Sequence, residues 1–460
     1  MIGVLGILIS LALLMYLAYR GINVLILAPG LALLAALASG ETRLLATYTQ
    51  IFMASLGGFL VKYFPLFLLG AIFGRLMSDS GAAAVIARSI VNRLGARRAI
   101  LAIVLSCAIL TYGGVSVFVV AFAVYPIATV LFREGGLPKR LIPGSIVLGA
   151  ATFTMTALPG TPAVQNAIPM PFFGTDTFAA PGIGVVAGLV MLAFGLWWLD
   201  RRAARAAGEG YGDHPMDRAE SPQAERGPGL WVALLPIVAV IVINWTVTRF
   251  VIPGMDAAYL AEKKFGGVSL NDVRGIWSLI VALTIAVVLV VLLNRSRWRD
   301  LKTSVNDGTM SSLLPIFNTA SEVGYGSVIA SLAGFGVIQA FIMGLWPSNP
   351  LISEAISVNV MAGITGSASG GMSIALNVLG ARYLELGTAA GISPDLLHRI
   401  AAIASGGLDS LPHNGAIITL LGICRLGHRE SYLDIFMVSV AGPILALVVA
   451  LMLGTAFGSF

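Results

Sequence analysis

Hydrophobic residues fill most of the 460-residue chain in long blocks that short polar stretches separate. The first seven blocks cover residues 2–19, 23–39, 51–77, 98–112, 115–132, 141–170 and 182–200. The other six cover residues 230–252, 275–294, 310–346, 352–386, 396–423 and 432–458. Several blocks reach the roughly 20 apolar residues that a helix needs to cross a bilayer. The pattern predicts an all-α polytopic membrane protein.

The amino-acid composition further narrows the class of protein. Hydrophobic residues make up 57% of the chain and charged residues 11%, whereas soluble domains carry about 25% charged residues. Cys107 and Cys424 both lie in apolar blocks, which argues against a disulfide scaffold or a metal cluster. We expect no cofactor and no nucleic-acid partner. The sequence contains no HExxH or GxSxG motif, so we do not expect an enzyme.

Basic residues orient the blocks. Five clusters are expected in the cytoplasm by the positive-inside rule. They lie at residues 88–98, 133–140, 201–205, 295–302 and 425–429. The segment 98–132 is basic at both ends, and the motif TYGGVSVF (111–118) divides it into two arms that are short for a full span. We therefore predict a re-entrant hairpin that enters from the cytoplasm.

A second interrupted segment, 352–386, carries the motif GITGSASGGMS (363–373) and predicts a hairpin that enters from the opposite side. With this assignment the chain divides into two repeats, residues 1–200 and 230–460, joined by a cytoplasmic linker at 201–229. Each repeat has five transmembrane spans and one hairpin. The interrupted spans 141–170 and 396–423 correspond to each other. Such inverted repeats with broken helices are typical of secondary transporters.

The breaks in these hairpins and spans carry small and neutral polar residues. Each break exposes backbone N–H groups at a new helix N-terminus, which favours anions. The candidate substrate-binding residues are Gly113, Gly114, Ser116, Thr156, Gly160, Thr161, Gln165, Asn166, Thr365, Ser367, Ser369, Ser410 and Asn414. The alternative for the glycines and serines is tight helix packing, and the motif LPGTPAVQN (158–166) is also compatible with a proline kink.

Asp409 and His413 are candidates for proton coupling, because ionisable residues at membrane depth are costly and often functional. The alternative is that Asp409 caps a half-helix while His413 makes a satisfied polar contact. The other three histidines fall in or near predicted loops. Lys62 and Glu322 also lie within apolar blocks, and we expect both to reach the membrane edge. No lysine or arginine lies within the four breaks, which favours a substrate with one carboxylate.

Three motifs carry a resemblance along nearly the whole chain: TYGGVSVFVVAFAVYPIA, TMTALPGTPAVQNAIPMPFFGT and SGGLDSLPHNGAIITLLGICRLGHRESYLDIF. With GITGSASGGM, they resemble the gluconate permease (GntP) family of the ion transporter superfamily. The resemblance implies proton-coupled uptake of a small hydroxylated monocarboxylate, such as gluconate or 3-hydroxybutyrate, across the bacterial inner membrane. It also implies a homodimer, an elevator mechanism, and a substrate site lined by the polar residues of the breaks.

Other functions remain compatible with parts of the pattern. A sodium-coupled organic-anion transporter would share the architecture. A channel would favour a continuous polar stripe along several spans, whereas this chain has local breaks. The proton-coupled symporter is the function that the sequence favours.

Overall fold

The computed structural model describes residues 2–20, 22–212, 227–345, 349–412 and 414–460, and every regular element in these ranges is helical. His413 and residues 213–226 of the predicted linker lie outside the described residues. The first half contains α1 (Ile2–Tyr19), α2 (Val24–Ala38), α3 (Leu44–Asp79), α4 (Ala82–Leu94), α5 (Ala99–Tyr112), α6 (Val117–Glu134), α7 (Leu141–Ala150) and α8 (Pro181–Arg205).

The second half of the chain is also built of helices in its described residues. It contains α9 (Leu230–Gly254), α10 (Leu270–Leu293), α11 (Leu301–Ser331), α12 (Ala333–Leu345), α13 (Pro350–Thr365), α14 (Ala368–Ala389), α15 (Pro394–Ser405), α16 (Gly415–Cys424) and α17 (His428–Phe457). We call α5–α6 hairpin 1 and α13–α14 hairpin 2. Residues 151–163 form break 1, after α7, and residues 406–414 form break 2, between α15 and α16.

Two short helices were not predicted. Helix α4 occupies an arginine-containing segment that the sequence predicts as a loop; its Ala83, Ile86 and Ala87 are buried against neighbouring helices. Its axis makes an angle of 102° with the helical segment that follows. Likewise, the block 310–346 contains a sharp bend between two helices. Helices α11 and α12 meet at 95°, and Leu332 between them has an extended backbone.

The two halves pack against each other reciprocally. The long helices α3 and α11 form an extensive contact with each other. Helix α2 packs on α11 while its counterpart α10 packs on α3, and α1 packs on α12 while α9 packs on α4. Such reciprocity is what a two-fold relation between two units produces. The final helices of the halves also meet, and buried Asp434 of α17 accepts a hydrogen bond of 2.8 Å from Arg202 Nε of α8.

Six of the described helices are long and apolar enough to cross a membrane, or eight if each bent pair forms one span. The fold is therefore an all-helical, multi-spanning membrane architecture. The predicted ten crossings and two re-entrant hairpins, with their orientations, stay predictions.

Candidate functional site

Glycines bring the tip of hairpin 1 close to its neighbours. The tip turns at Gly114, whose φ of +96° is unfavourable for other residues. A Cβ on Gly113 would lie 2.6 Å from Ile237 Cγ2, and one on Gly114 would lie 2.9 Å from Pro162 Cγ. Tyr112, at the end of α5, donates a hydrogen bond of 2.7 Å to the Pro159 carbonyl. Hairpin 1 therefore packs directly on break 1.

An asparagine side chain stabilises the non-helical backbone of break 1. The Asn166 amide nitrogen donates to the carbonyls of Thr161 (3.0 Å) and Thr177 (2.9 Å), so a side chain takes over part of the pairing that a continuous helix would supply. Gly160, at a φ of +81°, donates its N–H to the same Thr177 carbonyl at 2.8 Å. Asn166 was predicted as a substrate ligand, and both of its amide hydrogens have partners within the protein.

Arg399 completes the support of break 1 from the opposite half of the chain. This side chain of α15 is fully buried. Its guanidinium donates to the carbonyls of Ala157 (3.1 Å) and Ala179 (2.8 and 2.9 Å) and to Asn166 Oδ1 (3.1 Å). A buried charge is tolerated when hydrogen bonds satisfy it in this way. The sequence comparison of the breaks missed Arg399, because it lies in the helix before break 2 and acts on break 1.

Break 2 is bound to hairpin 2 by a second asparagine. The Asn414 amide nitrogen donates to the carbonyls of Gly366 (3.0 Å), at the tip of hairpin 2, and Asp409 (2.9 Å). Its Oδ1 accepts from the Ile417 N–H at 2.9 Å, which caps α16. At the tip itself, Ser367 Oγ accepts from the Gly370 N–H at 3.0 Å and caps α14.

The four interruptions form one connected region. Break 1 touches break 2 where a Cβ on Gly406 would lie 2.9 Å from Thr156 Cγ2. Hairpin 1 contacts break 1, and hairpin 2 contacts break 2, through the bonds described above. The structure thus brings together the candidate residues that the sequence assigned to separate segments, including Ser410, whose hydroxyl donates to Asp409 Oδ1 at 3.1 Å.

The candidate residues differ in how much hydrogen-bonding capacity they leave for a ligand. Thr156, Thr365 and Asn414 are engaged within the protein. Thr161 is completely buried, and Ser116 and Ser367 are partly accessible. Ser369 contacts Thr319 at 3.4 Å between hydroxyl oxygens. Several buried polar atoms at or beside the breaks have no hydrogen-bond partner among the described residues: Thr111 Oγ1, Gln165 Oε1, Asn244 Oδ1, Glu322 Oε2 and Ser373 Oγ. Such atoms are costly unless something else pairs with them.

One expectation about a charged residue is wrong. Glu322 does not reach the membrane edge: it is 4% exposed, and its carboxylate occupies the space that a Cβ on Gly370 would need at the tip of hairpin 2. Lys62 is exposed near the middle of the 36-residue helix α3, and its place at the membrane edge stays a prediction.

Two histidines expected in or near loops also lie at the site. His398 is fully buried in α15, with 2.6 Å between its Nδ1 and Thr175 Oγ1 and 3.2 Å between its Nε2 and Asn166 Oδ1. His428 begins α17, and its Nε2 lies 3.0 Å from the Pro412 carbonyl oxygen in break 2. The surrounding apolar sequence of α15 is the signal that places His398 and Arg399 in the interior rather than in water.

Known proteins agree with this architecture. The family described as GntP family permease matches residues 1–406. A Bacillus subtilis (strain 168) protein, "Uncharacterized transporter YxjC", is 44% identical over 449 residues, covering 94% of this chain and 95% of its own. The "High-affinity gluconate transporter" of Escherichia coli (strain K12) is 27% identical over 386 residues, covering 78% of each chain.

A solved structure shares the fold. The YdaH transporter of Alcanivorax borkumensis, whose crystal structure is described as having an unusual topology, aligns with a TM-score of 0.58 over 89% of each chain at 15% identity. The family match and the relatives are permeases and transporters, not enzymes. This chain therefore belongs to the GntP permease family and is a multi-pass transporter of the bacterial cytoplasmic membrane.

Proposed function

We propose that the protein takes up a small hydroxylated monocarboxylate, gluconate-like or 3-hydroxybutyrate-like, by proton symport. The observation that carries this proposal is the contact of two hairpin tips with two broken helices in one polar region. Unpartnered buried oxygens such as Gln165 Oε1 and Thr111 Oγ1 at this region supply pairing groups for a hydroxylated substrate. The gluconate transporter among the relatives supports the substrate class.

The proposed substrate site consists of the candidate residues that remain accessible or unpaired. Ser116 of hairpin 1, Gln165 just after break 1, and Ser367 and Ser369 of hairpin 2 contact the substrate. Gly113, Gly114, Gly160, Thr161 and Ser410 shape the backbone around it. Asn166 and Asn414 hold the two breaks in position. This division assigns the asparagines a supporting role, because their amide groups are already paired.

Asp409 and His413 of break 2 are the proposed proton carriers. The Asp409 carboxyl group accepts a hydrogen bond from the Ser410 hydroxyl. No lysine, arginine or histidine among the described residues forms an ion pair with Asp409. A carboxyl group in such surroundings is costly in its charged form. A sodium-coupled transporter of the same architecture is the second candidate, because carbonyl groups at broken helices also suit a cation.

We further propose that residues 1–200 and 230–460 are inverted repeats and that transport follows an elevator mechanism in a homodimer. The reciprocal packing of α2 on α11 and of α10 on α3 supports the repeats. In the elevator scheme, the hairpins and broken helices move against α3 and α9–α11. Polar contacts that cross that boundary include Tyr63 Oη to the Ile168 carbonyl (3.0 Å), Arg274 Nη2 to Asp176 Oδ2 (3.3 Å) and Asn244 Nδ2 to Thr177 Oγ1 (2.9 Å), and the movement would have to break them.

Uptake by purified protein in liposomes tests this function. We expect saturable accumulation of radiolabelled gluconate or 3-hydroxybutyrate driven by an inward proton gradient, and loss of accumulation when a protonophore collapses the gradient. Accumulation that follows a sodium gradient at fixed pH would replace the proton with sodium. Ohmic current, without saturation, would contradict a carrier.

A further inference from the structure

The interface between α3 and hairpin 2 contains a cleft outside the four breaks. It has a volume of about 140 Å³. The residues that line it are Ser55, Gly58, Phe59, Lys62, Tyr63, Phe172, Val323, Ser373 and Asn377. The cleft therefore lies between the long helices and the hairpin, beside the proposed substrate site.

One face of α14 connects this cleft to the hairpin tip. Ser369 at the tip and Ser373 in the cleft are one turn apart, about 6 Å along the helix axis. Gly370, Ser373 and Asn377 follow each other at the spacing of residues on one helix face. A hydroxy acid held at the tip can therefore extend its other end into the cleft.

Lys62 gives the cleft a positive charge. Its side chain is exposed, lines the cleft, and lies with its Nζ 5.9 Å from the centre of the Phe172 ring. No described carboxylate forms an ion pair with it. An ionisable side chain within an apolar transmembrane segment is costly and is a candidate for a functional role.

Ser373 supplies an independent sign of a ligand. This residue is 2% exposed, it lines the cleft, and its Oγ has no hydrogen-bond partner among the described residues. A buried hydroxyl without a partner is unfavourable. A carboxylate beside the Lys62 ammonium would pair with both groups. Asn377 also lines the cleft. Its amide nitrogen already donates to Ser327 Oγ at 2.9 Å, which would leave its amide oxygen for a substrate group in the cleft.

We propose that this cleft binds the carboxylate of the transported hydroxy acid, with Lys62 as its fixed cation and Ser373 as a hydrogen-bond donor. The proposal rests on the proposed function, because it assigns one end of the substrate of that site. It also changes the source of the countercharge, from the helix N-termini of the breaks to a lysine of α3. The substrate hydroxyl groups then face the tip of hairpin 2.

Binding of an anion and its neutral analogue tests the assignment. We would measure the Kd of the purified full chain for gluconate and for gluconamide, which lacks the negative charge, by isothermal titration calorimetry. Wild-type protein should prefer gluconate by about tenfold or more, as expected for a partly desolvated charge pair. Lys62→Gln should reduce that preference to less than about threefold, and Lys62→Arg should retain most of it.

Two variants serve as controls. Lys263→Gln removes the same charge at an exposed site outside the cleft and should leave the preference unchanged. Ser373→Ala deletes a hydroxyl that makes no hydrogen bond within the protein, so it should weaken gluconate binding by about threefold to tenfold without lowering Tm. This second variant keeps the test decisive if Lys62→Gln does not fold.

Retention of the full gluconate preference in Lys62→Gln would overturn the proposal. Competition by sulfate as strong as that by unlabelled gluconate would also overturn it, because the cleft would then be a general anion site. Uptake by the wild-type protein distinguishes a failure of the lysine assignment from a failure of the proposed function. If wild type accumulates gluconate and the variants keep its preference, only the lysine assignment fails. If wild type neither binds nor transports gluconate or 3-hydroxybutyrate, the proposed function fails and the lysine assignment falls with it.

Discussion

Arg399 and Asn166 meet in the interior although they come from opposite halves of the chain. Arg399 Nη1 donates to Asn166 Oδ1 at 3.1 Å, while the Asn166 amide nitrogen donates to two carbonyls of the region around break 1. The broken helix of the first half is therefore stabilised by the broken helix of the second. Neither side chain would be replaceable by an apolar residue without leaving buried carbonyls unpaired.

Arg399→Leu should be severely destabilising. The change removes the buried guanidinium from the carbonyls of Ala157 and Ala179, and we expect the free energy of unfolding to fall by about 3–5 kcal/mol. Thermal unfolding followed by fluorescence-detected size-exclusion chromatography would measure the loss. The exposed Arg382, paired with Glu385, provides the control, and Arg382→Leu should cost no more than about 1 kcal/mol. Equal stability of the two variants would contradict the role of Arg399.

Gly370 and Glu322 should behave as a coupled pair. A Cβ on Gly370 would overlap the Glu322 carboxylate, so Gly370→Ala should destabilise hairpin 2. Glu322→Ala vacates that space, and the double variant should regain at least about 1 kcal/mol relative to the sum of the single effects. Tm values of the four proteins form the double-mutant cycle. Additive effects would show that the two side chains do not meet at the tip.

Glu354 is fully buried in α13, and neither of its carboxylate oxygens forms a hydrogen bond with another described residue. Glu354→Leu should raise the free energy of unfolding by about 1–3 kcal/mol, since an apolar residue of similar size removes the cost of burying that group. Glu385→Leu, at an exposed position of α14, should change Tm little. A lower Tm for Glu354→Leu would indicate that its carboxyl group has a stabilising partner.

Asp409→Asn should separate transport from proton coupling. The variant keeps the size and most hydrogen bonds of the side chain and cannot exchange a proton. We expect proton-driven accumulation in liposomes to fall at least about tenfold while exchange of internal for external substrate continues. Asp256→Asn, in the exposed segment after α9, is the matched control. Unchanged accumulation by Asp409→Asn would remove Asp409 from the coupling mechanism.

Much of the helical organisation follows from local sequence signals. Long apolar blocks predicted helices such as α8 and α10, and the glycines of TYGGVSVF and GITGSASGGMS predicted turns at residues 113–116 and 366–367. Proline and glycine in LPGTPAVQN and SGGLDSLPHN predicted the breaks. These signals act through backbone conformation, so they are visible without knowledge of neighbours.

The remaining features depend on contacts between distant segments. Arg399 lies seven residues before the start of break 2, so its role at break 1 emerges only when α15 packs beside residues 157–179. Helix α3 begins at Leu44, before the apolar block at 51–77, because the intervening residues include polar side chains that the hydrophobic pattern does not assign to the block. Helix α4 was not predicted because it is short and carries arginines. Its buried face is defined only by the helices that pack against it.

A cryo-EM structure of the full chain in nanodiscs with saturating gluconate tests the central claim most directly. The account predicts one elongated density among the four interruptions, in contact with Gln165 and with Ser367 and Ser369 of hairpin 2. It also predicts that Gln165→Leu abolishes that density while the fold persists. Density at a position remote from both hairpin tips, with the region between the breaks closed by side chains, would contradict the account.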